Sequence, residues 1–235
     1  FRLTPAGEAL AIYARQILCL HDEALSRLLR PAITGSVRVG LPNDFAVAVL
    51  PSVLADFIDA NPGVSLDVVC DISVNLLRGL EEGNHDIIVA MTAEQAAPAA
   101  AKLWAERLVW VGSPKRRVED KRPLPLIAYP KGCVYRARMT EALSRAGVLW
   151  QIACTSGSLA GLQAAVSAGL GLTVLSLSTV PAGLAVLPPG SGFPGLADAT
   201  VGLYYARERL SEPAQLLINF VIRRLDATHM SNRAP

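Results

Sequence analysis

Charged side chains are scarce in this sequence, and charges of opposite sign almost cancel. Charged residues make up 18% of the 235 residues, and 22 lysines and arginines face 20 aspartates and glutamates, which leaves a formal charge of +2. So small an excess does not create the electrostatic field of a nucleic-acid-binding surface. Hydrophobic residues reach 51%, which excludes the composition of a disordered chain.

Cysteine pairs at short spacing are also missing. None of the four cysteines belongs to a C-x-x-C motif, so neither a zinc site nor a thiol-exchange site is indicated. We expect four buried free thiols in a reducing cytoplasmic compartment, with no metal and no cofactor. The four are Cys19, Cys70, Cys133 and Cys154.

The sequence lacks the pattern of a signal peptide, and its longest apolar window is interrupted. The opening residues have neither a charged segment nor a continuous apolar one, and a chain that begins at Phe1 is expected to be the remainder of a longer protein. Residues 159–177 have the length of a membrane span, but Gly161, Gly169 and Gly171 divide them into a helix, a turn and a strand. We therefore expect no membrane association.

No catalytic constellation is indicated either. The three histidines, His21, His85 and His229, fall in a predicted helix, a turn and the tail, and none stands beside a candidate nucleophile. Ser158 is displaced from its place in a G-x-S-x-G nucleophile elbow. We expect that the protein is not an enzyme.

The sequence does contain an apolar stripe near its start. Residues 5–29 predict one long helix, capped by Thr4, in which apolar positions recur at spacings of four and three. This heptad pattern favours pairing with a second copy of the helix, the alternative being that the helix packs on its own domain. The positions are Leu10, Ala14, Ile17, His21, Ala24 and Leu28.

A first run of alternating strands and helices follows the stripe. Strands are predicted at residues 36–41, 64–70 and 87–90, each of the first two followed by a helix. A turn is predicted at residues 42–44. Strands that alternate with helices build a parallel sheet, and its ligands lie at the carboxyl ends of the strands.

A second run of strands and helices predicts a second lobe. A single strand over residues 103–111 and a solvated basic loop over residues 113–125 separate the two runs. The fold class is therefore α/β with two lobes. The predicted strands and helices of this part are 124–129, 135–146, 150–155, 159–168, 172–177, 200–206 and 213–225.

Several motifs occur in an order that is typical of one family. The run Leu3-Thr4-Pro5-Ala6-Gly7-Glu8-Ala9-Leu10 is the most specific of them, and Asn61-Pro62-Gly63-Val64, Leu80-Glu81-Glu82-Gly83 and Gly169-Leu170-Gly171 follow it. With these motifs the chain resembles the LysR-type transcriptional regulators over residues 1–225. The first run is similar to the junction between that family's winged helix-turn-helix and its linker helix.

The resemblance implies an α/β, bilobal, periplasmic-binding-protein-like (type 2) effector-binding domain preceded by a long linker helix. Its parts would be the junction and linker helix at residues 1–30, regulatory subdomain I at residues 36–111 plus 202–227, and subdomain II at residues 112–201. It also implies a cytoplasmic bacterial regulator of transcription that forms a homodimer or a tetramer. Promoter DNA would be bound only through DNA-binding heads that precede Phe1.

Loops at the carboxyl ends of the predicted strands supply the candidate effector-binding residues. Polar side chains and free helix N-termini at such loops attract oxygen ligands. The resemblance places effector contacts at residues 42–45 and at Ser73, whereas plain helix capping is the alternative for Ser73 and Ser158. The candidates are Pro42, Asn43, Asp44, Phe45, Ser73, Met91, Thr92, Arg136, Thr155, Ser156, Gly157 and Ser158.

Asp44 is the most informative candidate, because a carboxylate there would repel an anionic effector unless a cation neutralised it. Arg136 is expected either to balance Asp44 across the cleft or to face solvent. Our hypothesis is that the effector offers amine or hydroxyl donors to Asp44 and an acidic group to the Ser156 loop. A solute-binding protein of a transport system, with the same bilobal fold, is the alternative function.

Overall fold

The computed structural model describes most of the chain after the predicted linker helix. Continuous description covers residues 33–48, 50–92, 100–188, 190–206 and 210–231. Before them only Thr4 and residues 6–7, 10, 13–14 and 17–18 are described, and Glu208 is described near the end of the chain.

The predicted dimerisation stripe is described in part. Leu10, Ala14 and Ile17 lie in helical segments and are exposed, Leu10 and Ile17 by 69% and 65%. His21, Ala24, Leu28 and Cys19 lie outside the described residues. The long helix and its pairing therefore stay predictions.

A five-stranded sheet forms the first lobe, with the strand order β2-β1-β3-β10-β4. Strands β1 (Gly35–Leu41), β2 (Val64–Cys70) and β3 (Ile87–Thr92) are parallel, as the alternation of strands and helices predicts. Strand β10 (Ala199–Tyr205) is antiparallel to β3 and to β4 (Ala100–Glu106).

Four helices belong to this lobe. The predicted turn at residues 42–44 is instead the start of a helix, α1 (Asn43–Ala48), whose first turn is closed by the bond from Ala46 N–H to Pro42 O. It is followed by α2 (Leu50–Ala60), α3 (Ser73–Glu81) and, at the end of the chain, α6 (Glu212–Ser231).

The amphipathic pattern of these helices determines which face is buried. Phe57 of α2 is fully buried and meets the ring of Phe220 of α6 edge-on, with 5.6 Å between the ring centroids. Val37 and Val39 of β1 belong to the same core, because alternate side chains of a strand point to one face of the sheet.

The second lobe contains the remaining strands. Strand β5 (Leu108–Gly112) is antiparallel to β8 (Thr173–Ser176) and to the two-residue strand β9 (Ala185–Val186). Strand β6 (Leu124–Ala128) is parallel to β7 (Trp150–Thr155). A parallel bridge between Leu126 and Leu172 joins the two small sheets.

Two helices and one 3₁₀ turn complete the second lobe. They are α4 (Val134–Arg145), α5 (Leu159–Ser167) and the 3₁₀ helix Leu177–Thr179. The core is continuous with that of the first lobe, because buried side chains of both lobes belong to one packed cluster.

The chain passes between the lobes at two places. The single strand predicted over residues 103–111 is wrong: β4 and β5 are separate strands that belong to different sheets, with Arg107 between them. The chain returns to the first sheet at Ala199, where β10 begins. The α/β architecture with two lobes is confirmed, whereas the predicted division at residues 111 and 201 stays a prediction.

Strand β2 corrects one expectation about the thiols. Cys70 was expected to be buried, but it is exposed because β2 is an edge strand whose later residues face solvent. Cys133 and Cys154 are half-buried, and all three described thiols are free. Among the described residues, no helix has the length and apolarity needed to cross a membrane.

Candidate functional site

A small cavity lies where the two lobes meet. Its volume is about 20 Å³, which accommodates roughly one water-sized group. The first lobe contributes the loops after β1 and β2 and the end of β3, and the second contributes the segment that leads into α4. The lining residues are Pro42, Asn43, Asp44, Asp71, Ile72, Ser73, Met91, Tyr129, Cys133, Val134 and Tyr135.

Asp44 is the most buried charged group of the site, with only 2% of its surface exposed. Its carboxylate Oδ2 accepts a hydrogen bond of 2.5 Å from the hydroxyl of Tyr135 and one of 2.8 Å from the hydroxyl of Thr179. Tyr135 Oη also lies 3.0 Å from Ser176 Oγ. Asp44 thus joins α1 of the first lobe to α4 and to the 3₁₀ turn of the second.

The charge of Asp44 meets only neutral donors in these contacts. Burial raises the pKa of the Asp44 carboxyl, and hydrogen bonds from Tyr135, from Thr179 and from the backbone N–H groups of Asp44 and Phe45 oppose the rise. The same burial, together with the charge of Asp44, raises the pKa of Tyr135 well above its usual value. The hydroxyl of Tyr135 therefore stays protonated and donates to Asp44.

A second direct bond crosses the cleft beside Asp44. The side-chain amide of Asn43 donates to the carbonyl of Gly157, 3.1 Å away in the loop before α5. Nearby, Gly132 adopts a φ of +94°, and a Cβ at this position would lie 3.0 Å from Val74 Cγ1 of the first lobe. The absence of a side chain at Gly132 permits this close approach of the two lobes.

Ser73 does not cap its helix but connects that helix to a neighbouring strand. The structure places it inside the first turn of α3, whose N-cap residue is Ile72 without a side-chain cap bond. Its hydroxyl accepts a 2.8 Å bond from the backbone N–H of Met91, which connects α3 to the end of β3. Ser158, by contrast, does cap α5, because its Oγ accepts from Gly161 N–H.

Tyr129 and Cys133 form the wall that the second lobe contributes. Tyr129 is 3% exposed, and its buried hydroxyl has no hydrogen-bond partner among the residues that the structure describes. Burial and the charge of Asp44 raise the pKa of Tyr129. Burial also raises the pKa of the Cys133 thiol to about 11, so at neutral pH this cysteine is protonated.

Asp71 adds a second carboxylate to the lining. It is half-buried, and its Oδ1 accepts a 2.7 Å bond from the backbone N–H of Ile72 and one from the side chain of Asn75. Among the described residues, no group of three or more His, Cys, Asp or Glu side chains is arranged to hold a metal ion.

The structure brings five of the twelve predicted site residues together at the cavity. They are Pro42, Asn43, Asp44, Ser73 and Met91. Phe45 and Thr92 adjoin them in the chain, but Phe45 is buried in the core. Whether these residues contact an effector stays a prediction.

Arg136, Ser156 and Ser158 are bonded to local partners. Arg136 does not balance Asp44, because its guanidinium donates to the carbonyl of Tyr129 at 3.1 Å. The loop from Thr155 to Ser158 is held by its own bonds: Ser156 Oγ accepts from Ser158 N–H and donates to Ser158 O. This loop reaches the first lobe through the Gly157 carbonyl.

Reasoning from sequence missed most of the wall of the second lobe. Tyr129 and Tyr135 follow a strand end and begin a helix, which is the signal that could have found them. Thr179 carries no local signal, because it meets Asp44 only through the fold.

Comparison with known proteins identifies similar chains. The family described as the LysR substrate binding domain matches residues 32–226. The HTH-type transcriptional regulator DgdR of Burkholderia cepacia is 34% identical over 209 residues, which cover 89% of this chain and 71% of that protein. A probable hydrogen peroxide-inducible genes activator of Mycobacterium avium is 31% identical over 191 residues, 76% of this chain and 61% of that protein.

Solved structures have the same fold. The regulatory domain of CcmR from Synechocystis PCC6803, in complex with 2-PG, superposes with a TM-score of 0.63 at 18% identity and covers 81% of this chain and 97% of that one. Several curated relatives are matched over less than two thirds of their length, 62% and 64% in two cases.

Proposed function

This chain belongs to the LysR family and carries the ligand-sensing regulatory domain of a transcriptional regulator, and from that premise we propose that its effector binds in the interlobe cavity bounded by Asp44, Ser73 and Tyr135. The bilobal periplasmic-binding-protein-like fold of the family accounts for the two lobes and for the two crossings between them. A transport solute-binding protein, the alternative weighed from sequence, is set aside because the relatives are regulators.

The single observation that carries the proposed site is the convergence of both lobes on one buried carboxylate. Asp44 of the first lobe is bonded to Tyr135 and Thr179 of the second, and the cavity lies beside these bonds. At about 20 Å³ the enclosed part of the cavity holds roughly one water-sized group. An effector therefore inserts one small group here and separates the lobes around its remainder, and this separation is the conformational signal.

The signal is transmitted through a homodimer. The exposed apolar positions Leu10 and Ile17 support pairing of the linker helices, since exposed apolar stripes at heptad spacing are covered by a second helix. A change in the angle between the lobes alters the orientation of these helices. The proposal also includes DNA-binding heads that precede Phe1 and a cytoplasmic location. The role of the protein in it is sensing rather than catalysis.

The Mycobacterium avium relative is named a probable hydrogen peroxide-inducible genes activator. Peroxide sensing by Cys70 or Cys133 is nevertheless disfavoured in this chain. Thiolate and not thiol reacts with peroxides, and burial raises the pKa of both Cys70 and Cys133. A reactive sensor cysteine requires the opposite shift of the pKa. We therefore favour binding of a metabolite over oxidation of a thiol.

A thermal-shift screen tests the effector site. The 235-residue chain is unfolded in the presence of a library of amino acids, amines, sugars and organic acids, and compounds that raise the melting temperature are retested on Val134→Trp. Val134 is half-buried and lines the cavity, so the indole fills the site. We expect stabilisation by at least one compound, and its loss in this variant.

The matched control is Leu149→Trp, at a residue that is 72% exposed and outside the cavity lining. It should retain the stabilisation. A compound that stabilises the native chain and Val134→Trp equally would place the effector elsewhere and contradict the proposed site.

A further inference from the structure

The electrostatics of the cavity lining define the charge of its ligand. We propose that the group of the effector that enters the cavity is a primary ammonium, and that the effectors of this regulator are amines or amino acids rather than simple organic acids. This inference rests on the proposed function, because it assumes that the effector enters the interlobe cavity.

Charge gives the first support. Among the described residues that line the cavity, Asp44 and Asp71 are the only charged ones, so two carboxylates face it and no described lysine or arginine does. Arg136, the cation of α4 closest in sequence, is bonded to the carbonyl of Tyr129 instead. A cleft that is lined by one sign of charge and partly closed to water concentrates ions of the opposite sign.

The hydrogen-bonding capacity of Tyr129 gives an independent second support. Its hydroxyl is buried in the cavity wall and has no partner in the described part of the chain, which is costly for a group that both donates and accepts. An ammonium has three donors, so it can satisfy the lone pairs of Tyr129 while it faces Asp44 or Asp71. A ligand with an ammonium group thus supplies a donor to the oxygen of Tyr129 and compensates the negative charge.

Size gives the third support. A volume of about 20 Å³ accommodates one heavy atom with its hydrogens, and an ammonium is of that size. A carboxylate has three heavy atoms and would approach Asp44, which has no cationic partner among its described contacts. A neutral hydroxyl has the right size but leaves both carboxylates uncompensated.

The residues of the site also exclude a metal ion as the cation. The described residues include no cluster of three or more His, Cys, Asp or Glu side chains, and a hard divalent cation prefers six or more oxygen ligands. Two carboxylates and two phenols are a poor set for such an ion. They suit an organic ammonium, whose charge is met by hydrogen bonds.

Methyl NMR of methionine provides a direct readout. The sequence has three methionines, Met91, Met139 and Met230, so a chain labelled with ¹³C-methyl methionine gives three signals. Met91 lines the cavity, and Met139 is buried in the core of the second lobe as an internal reference. Three probes of equal chain length are titrated to about 50 mM, a range suited to weak fragments: n-butylamine, 1-butanol and butyrate.

We expect n-butylamine to shift the Met91 signal with a Kd about tenfold lower than that of either other probe, while Met139 stays unmoved. The variant Asp71→Asn should weaken butylamine binding about fivefold or more. Asp59→Asn is the matched control, because Asp59 lies near the end of α2, away from the cavity, and makes the same change in net charge. It should leave the Kd unchanged.

Three results would overturn the inference. They are tighter or equal binding of butyrate, no movement of Met91 with any probe, and a Kd for butylamine that Asp71→Asn leaves unaltered. Failure of the proposed function looks different: in that case the stabilising compounds of the screen also stabilise Val134→Trp. If Val134→Trp abolishes the stabilisation but all of the stabilising compounds are organic acids, the cavity remains the effector site. Only the inferred preference for an ammonium is then wrong.

Discussion

Asp44 shows how a single buried carboxylate can hold two lobes together without a cation. It is bonded to hydroxyls that lie 91 and 135 positions away in the chain, so its partners come from the other lobe. These bonds last only while the lobes are close, and the charge stays desolvated for the same reason. Any movement of the lobes that lets water reach Asp44 removes the desolvation penalty of its carboxylate and breaks its two hydrogen bonds at the same time.

The raised pKa of Asp44 predicts a particular dependence of stability on pH. The folded-state pKa lies above the unfolded value, so Asp44 contributes most to the free energy of unfolding at low pH, and the contribution falls as pH rises through the folded pKa. Asp44→Asn removes this dependence. We expect the stability of the native chain relative to Asp44→Asn to decrease in urea unfolding as pH rises above the ordinary titration range of an aspartate carboxyl.

Tyr129, Tyr135 and Cys133, the neighbours of Asp44, do not titrate between acidic and neutral pH. Tyr129 and Tyr135 have raised pKa values, and that of Cys133 is about 11, so all three stay neutral. Asp59→Asn, on the exposed end of α2, serves as the control and should track the native chain at each pH. A difference between the native chain and Asp44→Asn that is constant or increases with pH would contradict the prediction.

Ser73 predicts a second effect at the scale of one residue. Ser73→Ala leaves the buried N–H of Met91 without its acceptor, which should lower the free energy of unfolding by about 1–3 kcal/mol. Urea unfolding followed by circular dichroism measures the loss. The control Ser65→Ala removes an exposed hydroxyl with only a long contact of 3.5 Å and should change stability by less than about 0.5 kcal/mol.

At the scale of elements, the spacing of apolar residues predicted those strands and helices whose burial pattern depends on neighbours in sequence. Strand β7 has the predicted bounds, Trp150–Thr155, because its alternating side chains are alternately more and less buried. The single strand predicted over residues 103–111 failed because β propensity does not record which sheet a strand joins, and Arg107 separates two sheets. Local turn residues likewise concealed the start of α1.

Only part of the candidate site could be predicted from the sequence, because only that part depends on local pattern. The loop residues of the first lobe follow strand ends and could be found from the order of the elements. Thr179 meets Asp44 only through long-range packing, which no local pattern encodes, whereas Tyr129 and Tyr135 carry the signal of a strand end and a helix start. Of the two alternatives for Arg136, pairing with Asp44 or facing solvent, the first is not observed among the described contacts, where the guanidinium donates to the backbone carbonyl of Tyr129.

Gly171 provides a test of packing between elements. A Cβ at this position would lie 2.6 Å from the carbonyl oxygen of Pro125, where β6 passes the start of β8. Gly171→Ala should therefore force the two strands apart and cost about 1–3 kcal/mol of unfolding free energy. Gly195→Ala meets nothing within 4 Å, so it should leave the urea midpoint unchanged. Equal midpoints for both variants would show that the strands tolerate the separation.

At the scale of the whole molecule, the proposed dimer predicts a change in mass. Leu10→Asp combined with Ile17→Asp places two charges in the apolar stripe and should weaken self-association at least tenfold, an effect visible by size-exclusion chromatography with light scattering. Leu170→Asp, at a site 53% exposed in the second lobe, is the control. If the double variant keeps the mass of the native chain, the stripe does not pair.

The position of β10 in the middle of the first sheet also determines the order in which the protein can be assembled during translation. This strand lies between β3 and β4, yet it leaves the ribosome only after residues 107–198 have been made. Until then, the edges of β3 and β4 that pair with β10 stay unpaired in the nascent first lobe, while the second lobe already has all of its strands. Synthesis of the last strand and of α6 closes the sheet, so the lobe that begins the chain is the last to be completed.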